Sequence, residues 1–382
     1  DGTTEVADNS QIPGTKLKIN FSSSIENGTI KSVTPAVLYE TNGTETEVTF
    51  TIVGTVDGTD YTTKKTISVA SKYKQRQYPA VEANKVFSTT ANTTLQDTYL
   101  NKIVVPAGFK IVSNADTNNA TTVDKGIVIE DATSAATAGS QFVWIPVGTI
   151  YTDVARTDAN AKTIELNRYT FDTDGNSTPQ NEGVIETYYQ ELETSDNGNT
   201  VAKSITNFKT SVTTNGGYYI GRYEARTTTA RSNETDALTP ITVKGTDLVY
   251  NYITQPQAAT LAQNMYNSNK FTSDLMNSYS WDTATLFLQT CGTNNKYSRQ
   301  NSLNTDLLAT TGTTNDVQCN VYDMASNLAE WTTESSNNSD FYCVDRGGSY
   351  LDAPSHTIYR NSSKTFYSRV YYGFRPLLYV NV

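Results

Sequence analysis

Hydrophobic and polar positions first fall into a period of two. KLKINF (16–21), EVTFTIVG (47–54) and YTTKKTISVA (61–70) alternate apolar and polar residues and are rich in Val, Ile, Thr and Tyr. That pattern predicts half-buried antiparallel strands. VDGTD (56–60) between the last two is a hairpin signal. NGT at 27–29 and 42–44 stands at turn positions. The spacing predicts a small Ig-like β-sandwich over 16–76. Residues 1–15, polar and containing Gly and Pro, read as an extended N-terminal arm, and 77–100 read as a linker.

A second set of strand-like runs starts at NKIVVPAGFKIV (101–112) and continues through GIVIED (126–131), SQFVWIPVG (140–148), KTIELNRYTF (162–171) and GGYYIGRYEAR (216–226). QFVWIPV is apolar on both faces, which predicts a central buried strand. Helical character shows in two places. PQAATLAQNMYN (256–267) has Pro256 near its start. SDLMNSYSWDTATLFLQTC (273–291) opens on Ser and Asp and repeats Leu275, Tyr279 and Leu286 at helix-like spacing. Two helices in a strand-rich domain spanning 101–382 give an α+β class.

Composition narrows the partners. Of 382 residues, 37% are hydrophobic and only 18% charged, the balance being chiefly Thr, Asn and Ser. With net charge −10 and no Lys/Arg run, the chain lacks the basic face that nucleic-acid binding requires. No stretch approaches the about 20 apolar residues of a membrane span. The start Asp-Gly-Thr reads as a processed N-terminus, although a trimmed one would look the same, and a secreted or surface-displayed protein is expected. Cys291, Cys319 and Cys343 match no metal or redox spacing; one pair plus a thiol and three thiols both remain open. N-x-S/T acceptors occur at Asn27, Asn42, Asn92, Asn119 and Asn361.

An ordered set of short motifs carries a family resemblance. It runs FVWIPVG (142–148), GYYIGRYE (217–224), SWDTA (280–284), NVYDMASNLAEW (320–331), RGGSY (346–350) and GFR (373–375). The set resembles the formylglycine-generating-enzyme-like (sulfatase-modifying-factor) domain, a C-type lectin fold, across 101–382. A buried carboxylate in NLAEW must be paired or must bind backbone N–H groups or a cation. The resemblance implies calcium as the candidate ion, with Asn327 and Glu330 as ligands; the alternative is that Glu330 caps local backbone. The glycines of RGGSY permit close backbone approach or unusual φ. Arg346 and Arg375 are expected to form core ion pairs that tie down the last strands.

The family's enzymatic members set a test the residues do not meet. The formylglycine-generating branch binds copper through a cysteine pair, the first lying in a Cys-Arg step between RGGS and GFR. Here that step reads Tyr359-Arg360, and no cysteine follows Cys343. The sulfoxide-synthase branch needs several histidines, and His356 is the single one present. The chain is therefore expected to be no enzyme and, calcium aside, to hold no cofactor.

What remains is a binding scaffold. Residues 350–372 are dense in Tyr, Asn, Ser, Asp and His, the mixture that antibody paratopes use. The candidate contacts are Tyr350, Asp352, His356, Tyr359, Asn361, Phe366, Tyr367, Tyr371 and Tyr372. The segment is also similar to variable proteins of diversity-generating retroelements; the whole chain's richness in Asn, Ser and Tyr is the competing explanation. The expected protein is extracellular and displays this lectin-like domain, for adhesion, on a surface appendage, pilus-like filament or shell. It would self-associate through the N-terminal arm and sandwich and meet a glycan or protein ligand on a cell surface. The alternatives are a monomeric or tethered adhesin, a variable receptor-binding protein of a bacterium or phage, and an active formylglycine-generating-type oxidoreductase.

Overall fold

A computed structural model describes residues 28–35, 45–56, 59–70 and 76–382, apart from 181–187, 196, 304–306, 339 and 352–354. The chain divides into two compact units, Asp1–Gln77 and Tyr78–Val382.

In the first unit β1 (Gly28–Pro35), β2 (Glu45–Val56) and β3 (Thr59–Ala70) form an antiparallel sheet in that order. The β2–β3 register runs without interruption from Glu45↔Ala70 to Val56↔Thr59. A register shift interrupts β1 between Ile30 and Ser32. β1 itself is weakly written: GTIKSVTP opens on the glycine of an NGT turn signal and ends on proline, and neither residue favours a strand interior. The expected arm (1–15) and strand 16–21 lie outside the described residues. The described part of the expected sandwich is thus one three-stranded sheet.

The second unit is built from eleven principal strands. They are β4 (Phe109–Val112), β5 (Val128–Asp131), β6 (Gln141–Pro146), β7 (Tyr189–Glu191), β8 (Gly217–Gly221), β9 (Phe271–Leu275), β10 (Ala329–Asn338), β11 (Phe341–Arg346), β12 (Arg360–Ser363), β13 (Tyr372–Phe374) and β14 (Pro376–Val380). An all-antiparallel sheet of six has the order β9-β14-β8-β6-β5-β4. β6, the both-face apolar run, sits inside it with Phe142, Val143, Trp144 and Ile145 fully buried. A second sheet runs β7-β10-β11-β12, with β13 added to β10 in parallel.

Among the described residues, three α-helices accompany these sheets. α1 (Ile205–Asn215) buries Ile205, Phe208 and Val212, spaced i, i+3, i+7, and Ser204 caps it by accepting from the Asn207 N–H. Its Thr/Asn-rich sequence hid it, because those residues are poor helix formers. α2 (Gln255–Gln263) starts in a Thr254/Gln257 capping box with Pro in its first turn. α3 (Ser278–Cys291) is shorter than its pattern predicted. Residues 271–275 form strand β9, and Asn277 with Ser280 makes the true cap, not Ser273 or Asp274. Twelve of the fourteen α3 residues are buried, so its amphipathic period is weak: nearly every face meets protein.

The expected linker over 77–100 is instead ordered into the second unit. Thr93–Gln96 pairs with Lys102–Val105, and Leu95 is fully buried. NKIVVPAGFKIV likewise folds as two strands, broken where Pro106 cannot donate and Gly108 takes φ +84°.

Candidate functional site

The motif residues converge on β10, where two buried charge clusters form. Glu334 is the first anchor. Its carboxylate accepts from Arg346 (3.1 Å), from Arg360 Nε (3.0 and 3.3 Å) and from Arg168. Asp282, carried by α3 from SWDTA, takes the other arms of Arg346 and Arg360, each at 2.5 Å. Asp282 Oδ2 also accepts the Tyr169 N–H at 2.9 Å. Burial pushes the Glu334 carboxyl up, but the guanidinia of Arg360, Arg346 and Arg168 prevail and hold it down at about 2. Glu191 of β7 stands beside this network. It accepts from the Ser278 N–H (2.5 Å) and the Thr333 hydroxyl (3.1 Å), and burial, then Glu334, push it up to about 7.

Glu330, four residues earlier on β10, anchors the second cluster. Arg375 of GFR grips it in a bidentate fork (2.7 and 3.2 Å) and reaches the carbonyls of Gly221 (2.8 Å) and Tyr322 (2.7 Å). Three further buried acids surround that pair. Glu224, from GYYIGRYE, accepts from Asn327 Nδ2 (2.7 Å) and the Leu328 N–H (3.1 Å). Asp323 accepts from the Gly312 N–H (3.1 Å) and the Thr314 hydroxyl. Asp316 accepts from Tyr297 (2.9 Å) and the Ala325 N–H (2.8 Å). Burial raises all four carboxyls above their ordinary range, Asp323 to about 7. Four acids therefore share one guanidinium, and the low dielectric favours their neutral forms.

The two glycines of RGGSY are required by contact. Gly347 holds φ +77°, and a Cβ there would meet the Met324 carbonyl at 2.4 Å. At Gly348 a Cβ would lie 2.6 Å from Ser302 Cβ. Their absence of side chains lets this turn lie against residues 324–325 and delivers Arg346 into the first cluster.

Asn327 and Glu330 share the second cluster but do not converge on one point. Arg375 holds the Glu330 carboxylate, and Asn327 is turned between Glu224 and the Ala309 N–H, which its Oδ1 accepts at 3.0 Å. In this structure the cation that Glu330 holds is the Arg375 guanidinium. Among the described residues, no group of three or more His, Cys, Asp or Glu side chains is arranged to hold a metal ion. The three cysteines are free thiols, Cys343 buried and the other two half-buried.

The candidate contacts of 350–372 separate by depth. Tyr359 and Phe366 are exposed, at 47% and 66%. His356, Asn361, Tyr367 and Tyr371 are half-buried, and Asp352 lies outside the described residues. Tyr350 and Tyr372 are buried, contrary to expectation. Tyr372 stacks on Trp331 at 4.5 Å and its hydroxyl meets Ser363 at 2.9 Å, so it belongs to the core. Leu351, 44% exposed, belongs to the exposed set and was missed; its apolar side chain between Tyr350 and Asp352 was the available signal. Cations also reach this rim: Lys364 lies over Phe366 at 5.8 Å and Arg369 over Tyr367 at 5.3 Å. The backbone beneath is tied to the first cluster, because the Tyr359 carbonyl accepts from Arg346 Nε and from the Gly347 N–H, both at 3.2 Å. No protein-family model matches the chain, and neither a curated protein nor a solved structure matches it.

Proposed function

We propose that this chain is a non-enzymatic extracellular surface protein. In this reading the second unit is a C-type-lectin-like domain of the formylglycine-generating-enzyme type that binds a glycan or protein through residues 351–371. The first unit, an Ig-like module, self-associates, making the protein a subunit of a pilus-like filament or shell.

One observation carries the binding half. Tyr359 and Phe366 hold apolar rings in solvent, and the Tyr359 backbone is anchored by the buried ion pairs of Arg346 and its chain neighbour Arg360. Rigid aromatic groups presented on a fixed base bind with little ordering cost. The acids that could do proton chemistry are enclosed and engaged with arginines, amides and hydroxyls, which fits a scaffold role. The self-association half rests on the three-stranded sheet, since sheet edges are templates for strand addition.

Two measurements test the halves separately. Negative-stain imaging with size-exclusion mass should show ordered high-mass assemblies, whereas monodisperse monomers would refute the filament. Tyr359→Ala with Phe366→Ala should abolish retention on glycan arrays or host-cell surfaces without changing the melting temperature. Undiminished retention by the double variant would refute the binding face.

A further inference from the structure

The edges of the six-stranded sheet, β4 and β9, approach each other at one end. Phe109 of β4 and Phe271 of β9 have ring centroids 5.7 Å apart, and Tyr266 packs on both at 5.7 and 5.4 Å. Asn92 staples the two approaches by accepting from the Ala107 N–H at 3.1 Å and donating to the Lys270 carbonyl at 2.8 Å. Over this ring cluster lies a cavity of about 720 Å³. Mouths of partly closed sheets are preferred ligand sites, and this volume suits a small molecule.

The walls are held in place by one buried carboxylate. Asp131 accepts the Thr133 and Ser134 N–H groups (3.1 and 3.0 Å) on one oxygen. Its other oxygen takes the Thr137 hydroxyl (2.5 Å) and the Tyr266 hydroxyl (3.2 Å). The loop carrying Ser134 and the segment carrying Tyr266 are therefore fixed to each other before any ligand arrives.

The lining has a definite chemistry. Thr89, Thr90, Ser134, Asn267, Ser268 and Asn269 line it together with Tyr266 and Phe271. In a chain of net charge −10, this lining contains no acid and one cation, Lys270. Neutral donors and acceptors around aromatic carbon suit a sugar ring, which has hydroxyl edges and an apolar face. The ammonium suits a carboxylate. We infer that this mouth is a second recognition site, for an acidic saccharide unit: a pyranose bearing one carboxylate.

The site shares no residue with 350–372. β9 and β14 separate the two regions: Phe271↔Val380 lies at the cavity end, while Leu275↔Pro376 lies beside β13. The test therefore needs no variant of the rim, and either site can fail alone. Saturation-transfer NMR and titration of the full chain would use N-acetylneuraminic acid, glucuronic acid and glucose. The acidic sugars should bind about tenfold more tightly than glucose, the effect of one charge-assisted hydrogen bond. Lys270→Gln should erase that preference and leave glucose binding unchanged. Lys270 is exposed, so this variant should melt with the parent. Asn269→Ala should weaken all three sugars. Equal binding of glucose and the acids, unchanged preference in Lys270→Gln, or no saturation transfer at millimolar sugar would each overturn the assignment.

Discussion

Glu334 and Glu330 are both buried on β10, four residues apart, yet they sit in opposite electrostatic settings. Around Glu334, three arginines meet Asp282 and Glu334, so cations are plentiful and the carboxylate is locked in its charged form. Around Glu330, one arginine serves four acids, and burial pushes those acids toward neutrality. The first arrangement is a fixed lattice of ion pairs. The second is a buffer that holds protons the unfolded chain would release. Burial alone thus does not set ionisation; the local ratio of arginine to acid does.

The strongest way to break this contrast is Glu334→Gln. It removes the shared partner of three guanidinia, and stability should fall by about 3–5 kcal/mol, as read by urea melts. Arg375→Met should cost a similar amount at pH 8, but less at pH 5.5, where Glu330 and its neighbours can take protons instead. A cost that does not change with pH would show that the second cluster is ionised like the first. Both substitutions act through buried charges left without a partner, the mechanism behind the largest single-site losses.

The pH profile sharpens the comparison next. Asp323 ordinarily titrates at 3.8 but stands at about 7 in the folded chain. Between these values the folded form keeps a proton that the unfolded form loses, so stability falls as pH rises through that window. Glu191 has the same sign, going from 4.5 to about 7. Glu334 has the opposite sign: its contribution is complete above 4.5 and is lost as pH drops toward about 2. Asp323→Asn should flatten the decline between pH 5 and 7. The amide oxygen can still accept from Gly312, and the Thr314 hydroxyl can turn to accept from the new NH₂. The smallest effect belongs to the rim. Phe366→Ala should leave stability within about 0.5 kcal/mol, since it removes an exposed ring.

What could be read in advance follows the strength of local signals. QFVWIPV announced β6 because it is apolar on both faces, and PQAATLAQ announced α2 because Pro256 stands at the start of an Ala-rich run. β1 and α1 were hidden, one behind a turn tripeptide and the other behind Thr and Asn. RGGSY and GFR revealed Arg346 and Arg375 as core residues, but not their partners. Arg168 meets Glu334 across 166 residues and Glu224 meets Asn327 across 103, and no local pattern encodes either meeting. Glu330 could be read as a buried carboxylate in need of a cation, but not that Arg375 reaches it from 45 residues downstream. Tyrosine richness marked the rim at 350–372 but not depth, so Tyr350 and Tyr372 were counted as contacts although they are core.

Strand order in the six-stranded sheet has a consequence for biosynthesis. β14 lies between β8 and β9, and β9 has no other strand partner in that sheet. At ribosomal rates of about 5–20 residues per second, β9 waits some 5–20 seconds for residues 376–380 to emerge. Through that interval Phe271 and Leu275 lack their final covering, and the nascent chain is exposed to capture by holdase chaperones or to pairing with a neighbour on the same polysome.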